Sequence, residues 1–423
     1  MTLGRMTTRI DSDVLIPGRG DPISQGSVVF DEKILFAGPT ADAPDILGAD
    51  LVRSPAVMPG MWECHGHFLG MRATGLGTYY TDSLPLRTAR SVKDAEAALQ
   101  AGFTSVREAG GIGVHLARAV REGTVSGPSI YAPGAILSTT GGHGDLHTIP
   151  LDWVHDLTSR SGELRVCDGV DDCIRAVREQ LRLGAQVIKI CASGGVLSEI
   201  DDPIHQQFRS DELRAIVETA ALADRVVMAH CHGKPGIMAS LEAGARTIEH
   251  GTYLDDEACA AMRELGAILV PTRYIVVQLF KAGIASGLSA ENYRKLEAIA
   301  SIHAEAVARA HEAGVTIAAG TDVYQSGADL PVAWGQNGAE LPLLVEAGLS
   351  PSDAIAAATA NAAATLGPQA PRAGVLAEGW DADVITVSGN PLHDIALLAD
   401  PGNISGVWKH GTQLKQPRQD TPS

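Results

Sequence analysis

The sequence predicts an α/β fold: a (β/α)8 TIM-like barrel carrying a small β-sandwich-like domain formed by the N- and C-terminal segments. Three observations predict it. Across residues 57–369, short apolar runs alternate with Ala/Leu/Glu/Arg-rich stretches of helical period. Eight such runs can be counted, and no G-x-G-x-x-G turn follows the first, so a closed barrel fits better than an open doubly wound sheet. Residues 1–56 and 370–423 instead carry short β-branched runs punctuated by Gly and Pro, the texture of strands and tight turns.

In order, the predicted barrel strands are VMPGMWECHGH, FTSVREAG, SIYAPGAI, QVIKICASGG, RVVMAHCHG, TIEHGTY, AILVPTR and VTIAAGTD. Stretches such as DELRAIVETAALA and DDEACAAMRELG supply the intervening helices. At the ends, TRIDSDVLIPGRGDPISQGSVVFDEKILFAGP matches GVLAEGWDADVITVSGNPL and ISGVWKHGTQL in texture, and the two are expected to pair. A chain of 423 residues has room for one large and one small domain.

A formal net charge of -17 repels phosphate backbones and anionic lipid, so neither nucleic acid nor membrane is an expected partner and a small-molecule substrate is. The start lacks the apolar core of a signal peptide and no apolar run reaches the length of a membrane span, which points to the cytoplasm. The six cysteines form no Cys-x-x-Cys pair and read as reduced, buried thiols rather than zinc ligands or a disulfide framework.

The chemistry-bearing residues gather at predicted strand ends. His65 and His67 close the first strand two residues apart, so both imidazoles project to one face and can share a metal ion. His230, His250 and Asp322 close the fifth, sixth and eighth, and the carboxyl ends of barrel strands are where barrel active sites are built. Lys189 lies inside the apolar run Val187-Ile188-Lys189-Ile190, where burial favours the neutral amine. Such an amine can take up carbon dioxide as a carbamate and bridge two metal ions; alternatively, an ammonium there reaches a buried carboxylate.

The motifs PGMWECHGH, GFTSVREAGG, TTGGHGD, GAQVIKICASGG, VMAHCHG, TIEHGT, AAGTD, SPSDAIAAATANAAATLG and GVLAEGWDADVITV span nearly the whole chain. Together they resemble the amidohydrolase superfamily, in the branch of imidazolonepropionase-related metal-dependent dipeptidases and prolidases. The resemblance implies His65, His67 and Asp322 as ligands of one divalent ion and His230 and His250 as ligands of a second, with carbamylated Lys189 bridging them. Zn2+ suits these ligands, with Mn2+ and Co2+ as alternatives. It also implies a homo-oligomer. The activity it implies is hydrolysis of an amide bond in a dipeptide (Xaa-Pro or another Xaa-amino acid) or an N-acyl amino acid. Asp322 would move the proton from water to the leaving amine. His143, between Gly142 and Gly144, would be a second oxyanion contact. His232, Arg273 and Tyr274 are candidate substrate contacts, Arg273 as a bidentate clasp for a carboxylate.

Deaminases of this superfamily often carry His-x-x-Glu where this chain has His230-Cys231-His232-Gly233, so deamination or cyclic-amide opening is the lesser reading, and a non-catalytic scaffold the least. His115, His303 and His311 read as exposed or capping residues. Trp334 and Gly335 mark a candidate lid, and Tyr79-Tyr80 either pocket lining or core.

Overall fold

The computed structural model describes residues 7–75 and 77–416; the outermost parts of the predicted small domain, 1–6 and 417–423, lie outside the described residues. Eight barrel strands occupy the predicted positions: Met61–Met71, Phe103–Glu108, a third in two pieces, Ile188–Cys191, Val227–Cys231, Thr247–His250, Ile268–Val270 and Thr316–Ile317. The third is broken into Ser129–Tyr131 and Ile136–Ser138 at Pro133 and Gly134, where proline lacks a ladder donor and Gly134 takes a left-handed backbone. Its first piece pairs with the second barrel strand and its second with the fourth, so the break itself joins two parallel sheets. The other seam closes where the Cys64 amide donates to the Ala319 carbonyl at 3.0 Å and the Asp322 amide to the His65 carbonyl at 2.6 Å. A further strand, Leu164–Val166, pairs beside Ile136–Ser138 and was not expected from the sequence.

Local sequence explains the packing of each unit. In the helix Val170–Leu183, Cys173, Ala176, Val177 and Gln180 fall at the i, i+3, i+4, i+7 spacing that faces one side of a helix, and all four are buried. The strand that follows is buried at every position, as expected of a parallel strand covered on both faces.

The two chain ends form one seven-stranded sheet, ordered Thr412–Lys415, Ile404–Lys409, Val384–Val387, Asp50–Pro59, Thr8–Leu15, Ile23–Phe30, Ile34–Pro39. Phe30 and Trp408 sit four strands apart in it, roughly 19 Å in a flat sheet, yet their rings meet edge to face at 6.1 Å. The sheet therefore curls over a core of its own that includes Ile10, Val28, Val57 and Val384, which gives it the sandwich-like form. Strand Asp50–Pro59 keeps pairing with Val384–Val387 as far as Pro59, three residues past the expected boundary at 56. No helix among the described residues is long and apolar enough to cross a membrane.

Candidate metal centre

Six predicted ligand groups converge at the mouth of the barrel, with His232 beside them. His65 and His67 reach it from the first strand because Gly66 between them leaves room for the Trp334 ring, which a Cβ would meet at 2.6 Å. Asp322 stands opposite, its Oδ1 3.1 Å from His67 Nε2 and 3.7 Å from His65 Nε2. Lys189 Nζ lies 3.4 Å from His65 Nε2 with the side chain almost wholly buried. On the other side, one potential ligand atom from each of His230, His232 and His250 lies within 4.8 Å of the others, and His65, His250 and Asp322 form a second such group.

The backbone is bent to achieve this. His250 at the end of the sixth strand, and Thr272 and Asp322 two and five residues beyond the seventh and eighth, all have left-handed φ, at 70°, 53° and 63°. For a β-branched residue such as Thr272 that conformation is a true outlier, and strain of this kind gathers at functional sites.

The donor set suits divalent cations. Burial pushes His65 down to about 4, with Lys189 adding to it, and holds His230 and His250 well below the ordinary imidazole value, so the rings are neutral, the form that ligates metal. Burial likewise lowers Lys189 towards the amine. Burial works against ionisation of Asp322, but His65, His67 and Lys189 outweigh it and hold it low. One nitrogen of each ring is already engaged: His65 Nδ1 with Glu249 at 2.7 Å, His67 Nδ1 with the Gly110 carbonyl at 2.8 Å, His250 Nδ1 with Thr272 Oγ1 at 2.7 Å and His230 Nε2 with the Gly194 carbonyl at 3.1 Å. Each ring thus keeps its other nitrogen for an ion, the arrangement second-layer partners impose on metal-binding histidines.

Three buried ionisable residues missed in the sequence carry this layer, and burial pushes one of them, Glu63, up to about 7. The Glu249 carboxylate takes His65 on one side and both Arg107 Nη2 contacts, at 2.8 Å, on the other. Burial opposes its charge, yet Arg107 and His65 bring it down to about 2. Glu63 accepts from the backbone of His65 and Thr321, from Thr321 Oγ1 and from Asn337 Nδ2, tying the His-Gly-His strand to the Asp322 turn. The available signal was a charged residue inside an apolar strand, the same one that singled out Lys189.

Two cavities open on either side of the cluster and share His143, Leu197, His230, His250 and Asp322 as their common boundary. The larger, about 800 Å³ including space open to solvent, lies between Leu69, Tyr79, Ile136, Leu146, Leu164 and Tyr324, with His65, His67 and Lys189 at its base. Glu163, held by Arg87 through two hydrogen bonds of 2.9 and 2.7 Å, also lines it. The smaller, about 400 Å³, is walled by Val196, Ile275, Val276, Leu279, Leu296 and Ile299 beside His232. His143 stacks on His230 with ring centroids 4.3 Å apart, its ring resting against Gly195. Burial lowers it, against the pull of Asp201, so it too is neutral.

Arg273 and Tyr274 are not brought to the site. After the left-handed turn at Thr272 a helix starts at Arg273, and Glu340 accepts from the amides of both residues at 2.9 and 2.6 Å. The helix then presents Ile275, Val276 and Leu279 to the smaller cavity, while Tyr274 donates its hydroxyl to the Pro331 carbonyl and neither Arg273 nor Tyr274 lines either space. Trp334 is no lid: it stacks on Phe68 at 4.2 Å and donates to the His67 carbonyl. His303, expected at the surface, is fully buried with Nε2 2.9 Å from the His250 carbonyl, whereas His115 is exposed. Tyr79 does line the larger cavity. All six cysteines are free and buried.

The amidohydrolase family matches residues 56–414. Ochratoxinase of Aspergillus niger is 42% identical over 97% of this chain and 87% of its own length. Its crystal structure superposes with a TM-score of 0.89 at 40% identity, covering 98% of this chain and 96% of the other. A prolidase crystallised with N-methylphosphonate-L-proline gives 0.89 at 35% identity over 97% and 100% of the two chains. A Xaa-Pro dipeptidase with bound methionine gives 0.85 at 29% identity over the same shares. The chain belongs to the amidohydrolase family and is a hydrolase acting on carbon–nitrogen bonds.

Proposed function

We propose that the chain hydrolyses the amide bond of a dipeptide or N-acyl amino acid whose acyl group and leaving-residue side chain are both apolar. The centre would hold two Zn2+ ions, one by His65, His67 and Asp322 and the other by His230 and His250, with Lys189 between them as a carbamate formed from carbon dioxide. The observation that carries this reading is the pair of apolar cavities meeting at His143, His230, His250 and Asp322. A substrate spanning that boundary places its scissile bond against the polar cluster and one apolar group in each cavity. Likeness to a prolidase and a Xaa-Pro dipeptidase supports an amino acid as the leaving group. The ochratoxinase likeness makes ochratoxin a compound to include in any assay.

When bound, two such ions activate water and polarise the carbonyl. The chain's residues do the rest. Asp322, ionised and facing both cavities, accepts the proton released by water and returns it to the leaving nitrogen. The bonds from Glu249, Gly110, Thr272 and Gly194 keep the imidazoles from turning. The apolar walls fix the position of the bond and keep bulk water away from it.

The test compares, on zinc-grown protein, N-benzoyl-phenylalanine and N-benzoyl-leucine with N-benzoyl-aspartate and N-benzoyl-lysine. The apolar pair should show the higher kcat/KM by about tenfold or more, since a buried unpaired charge is costly in an apolar cavity. Equal rates across the four compounds would sink the two-cavity reading.

A further inference from the structure

Behind His143 runs a chain of buried polar groups that the hydrolytic centre does not itself require. His143 Nδ1 lies 2.8 Å from Ser198 Oγ, and the Ser198 hydroxyl donates to Asp201 Oδ1. The Asp201 carboxylate also accepts from Lys295 Nζ at 3.3 Å, from the Gly195 amide at 3.1 Å and from Gln207 Nε2 at 3.0 Å. Its side chain is only 6% exposed. His143 Nε2 makes no hydrogen bond among the described residues, and its ring borders both cavities.

Counting protons fixes the direction of this chain. A serine hydroxyl has one proton, and an ionised carboxylate has none to give. With its proton on Asp201, Ser198 can only accept from His143, so the imidazole proton sits on Nδ1. In the neutral imidazole that leaves Nε2 as a bare lone pair, on a ring that borders both cavities. That is the reverse of the oxyanion donor expected of His143 from the sequence, because a donor needs a proton on Nε2.

We infer that Asp201 acts through Ser198 as a positioning residue: it holds the His143 proton on Nδ1, so that Nε2 accepts a hydrogen bond from the N–H of the scissile amide. The inference rests on the proposed amide hydrolysis and narrows its substrate class to secondary amides. A tertiary amide, such as a bond to proline or an N-methylated residue, has no such N–H.

Two measurements on the zinc-loaded protein test it. In protein labelled with 15N-histidine, the His143 signals, identified by their loss in His143→Gln, should show the Nδ1–H tautomer. In Asp201→Asn the side-chain amide can donate to Ser198, which turns the hydroxyl round and should move the proton to Nε2. In the second measurement, kcat/KM is compared for N-acyl-phenylalanine and its N-methylphenylalanine counterpart in wild type, Ser198→Ala and Asp201→Asn. The preference for the secondary amide should fall by about tenfold in both variants, the worth of one hydrogen bond. A purely structural role would lower both rates together and leave their ratio unchanged, which would overturn the inference. So would a proton on Nε2 in the wild type. Failure to cleave any amide would instead count against the proposed function, and the NMR result would still decide the tautomer.

Discussion

The two halves of the centre are built from the same residue type and supported in opposite ways. Behind His65 the second layer is ionic, the buried Glu249–Arg107 pair gripping the ring through a carboxylate, while His67 rests on the neutral Gly110 carbonyl. Around His230, His232 and His250 it is neutral, consisting of the Gly194 carbonyl and the hydroxyls of Thr252 and Thr272. A carboxylate partner makes an imidazole a more basic ligand than a hydroxyl does. The difference teaches that the same residue type can hold an ion with unequal grip.

The widest break in the comparison should come from Lys189, the group proposed to bridge both halves. Lys189→Ala is expected to abolish turnover and to drop metal content below one equivalent by elemental analysis, and added short-chain carboxylic acid should restore part of both. Retention of two ions by the variant would show that the halves are independent.

Next, Glu249→Gln should lower metal affinity or kcat by about 10- to 100-fold, and Thr272→Ala by less than tenfold. Glu249→Gln should also lower the Tm, because it leaves the buried Arg107 guanidinium without its counter-charge, a loss of about 3–5 kcal/mol. Similar losses in the two variants would erase the asymmetry. A chelator titration sharpens the same point. Anomalous diffraction at the midpoint should find the remaining ion between His65, His67 and Asp322, and an ion left at His230 and His250 would reverse the assignment.

A smaller effect lies outside both halves. Asp94, bonded to Ser326 at 2.5 Å, is pushed up to about 7 by burial. Its folded-state value thus lies above its unfolded one, so the folded protein keeps a proton that the unfolded chain releases. Stability from this group is present below about pH 4 and falls as pH rises to about 7. Asp94→Asn should therefore flatten the decline in Tm between pH 5 and pH 8, by a few degrees at most. A parallel decline in both proteins would remove Asp94 as the cause. The smallest effect expected is that of Arg273→Met. With the guanidinium outside both cavities, the ratio of rates on an N-acyl amino acid and its amide should stay within about twofold of wild type, whereas a large drop would restore the carboxylate clasp.

Most of the barrel and all six groups of the cluster were legible because strand-end position and side-chain type are both written in order along the chain. Arg273 was not, since no sequence pattern announces that Thr272 turns left-handed and starts a helix one residue later. The break in the third strand was foreshadowed by Pro133-Gly134, but its role in joining two sheets depends on neighbours far away in sequence. Glu63, Arg107 and Glu249 were visible as charges in apolar strands; their partners were not, because pairing across a barrel depends on register. Ser198 and Asp201 lie in a loop with no periodicity at all, and only folding brings them behind His143.

The small sheet also sets a timetable for synthesis. Strand Asp50–Pro59 lies between Thr8–Leu15, made just before it, and Val384–Val387, made near the end. At ordinary ribosome speeds the ribosome needs roughly 16 to 65 s to cover that gap. Through that interval one edge of Asp50–Pro59 has no partner strand, and an unpaired edge invites pairing with other nascent chains. A chaperone that shields strand edges should raise the soluble yield. Truncation before residue 384 should send the protein into aggregates even though every barrel strand is present.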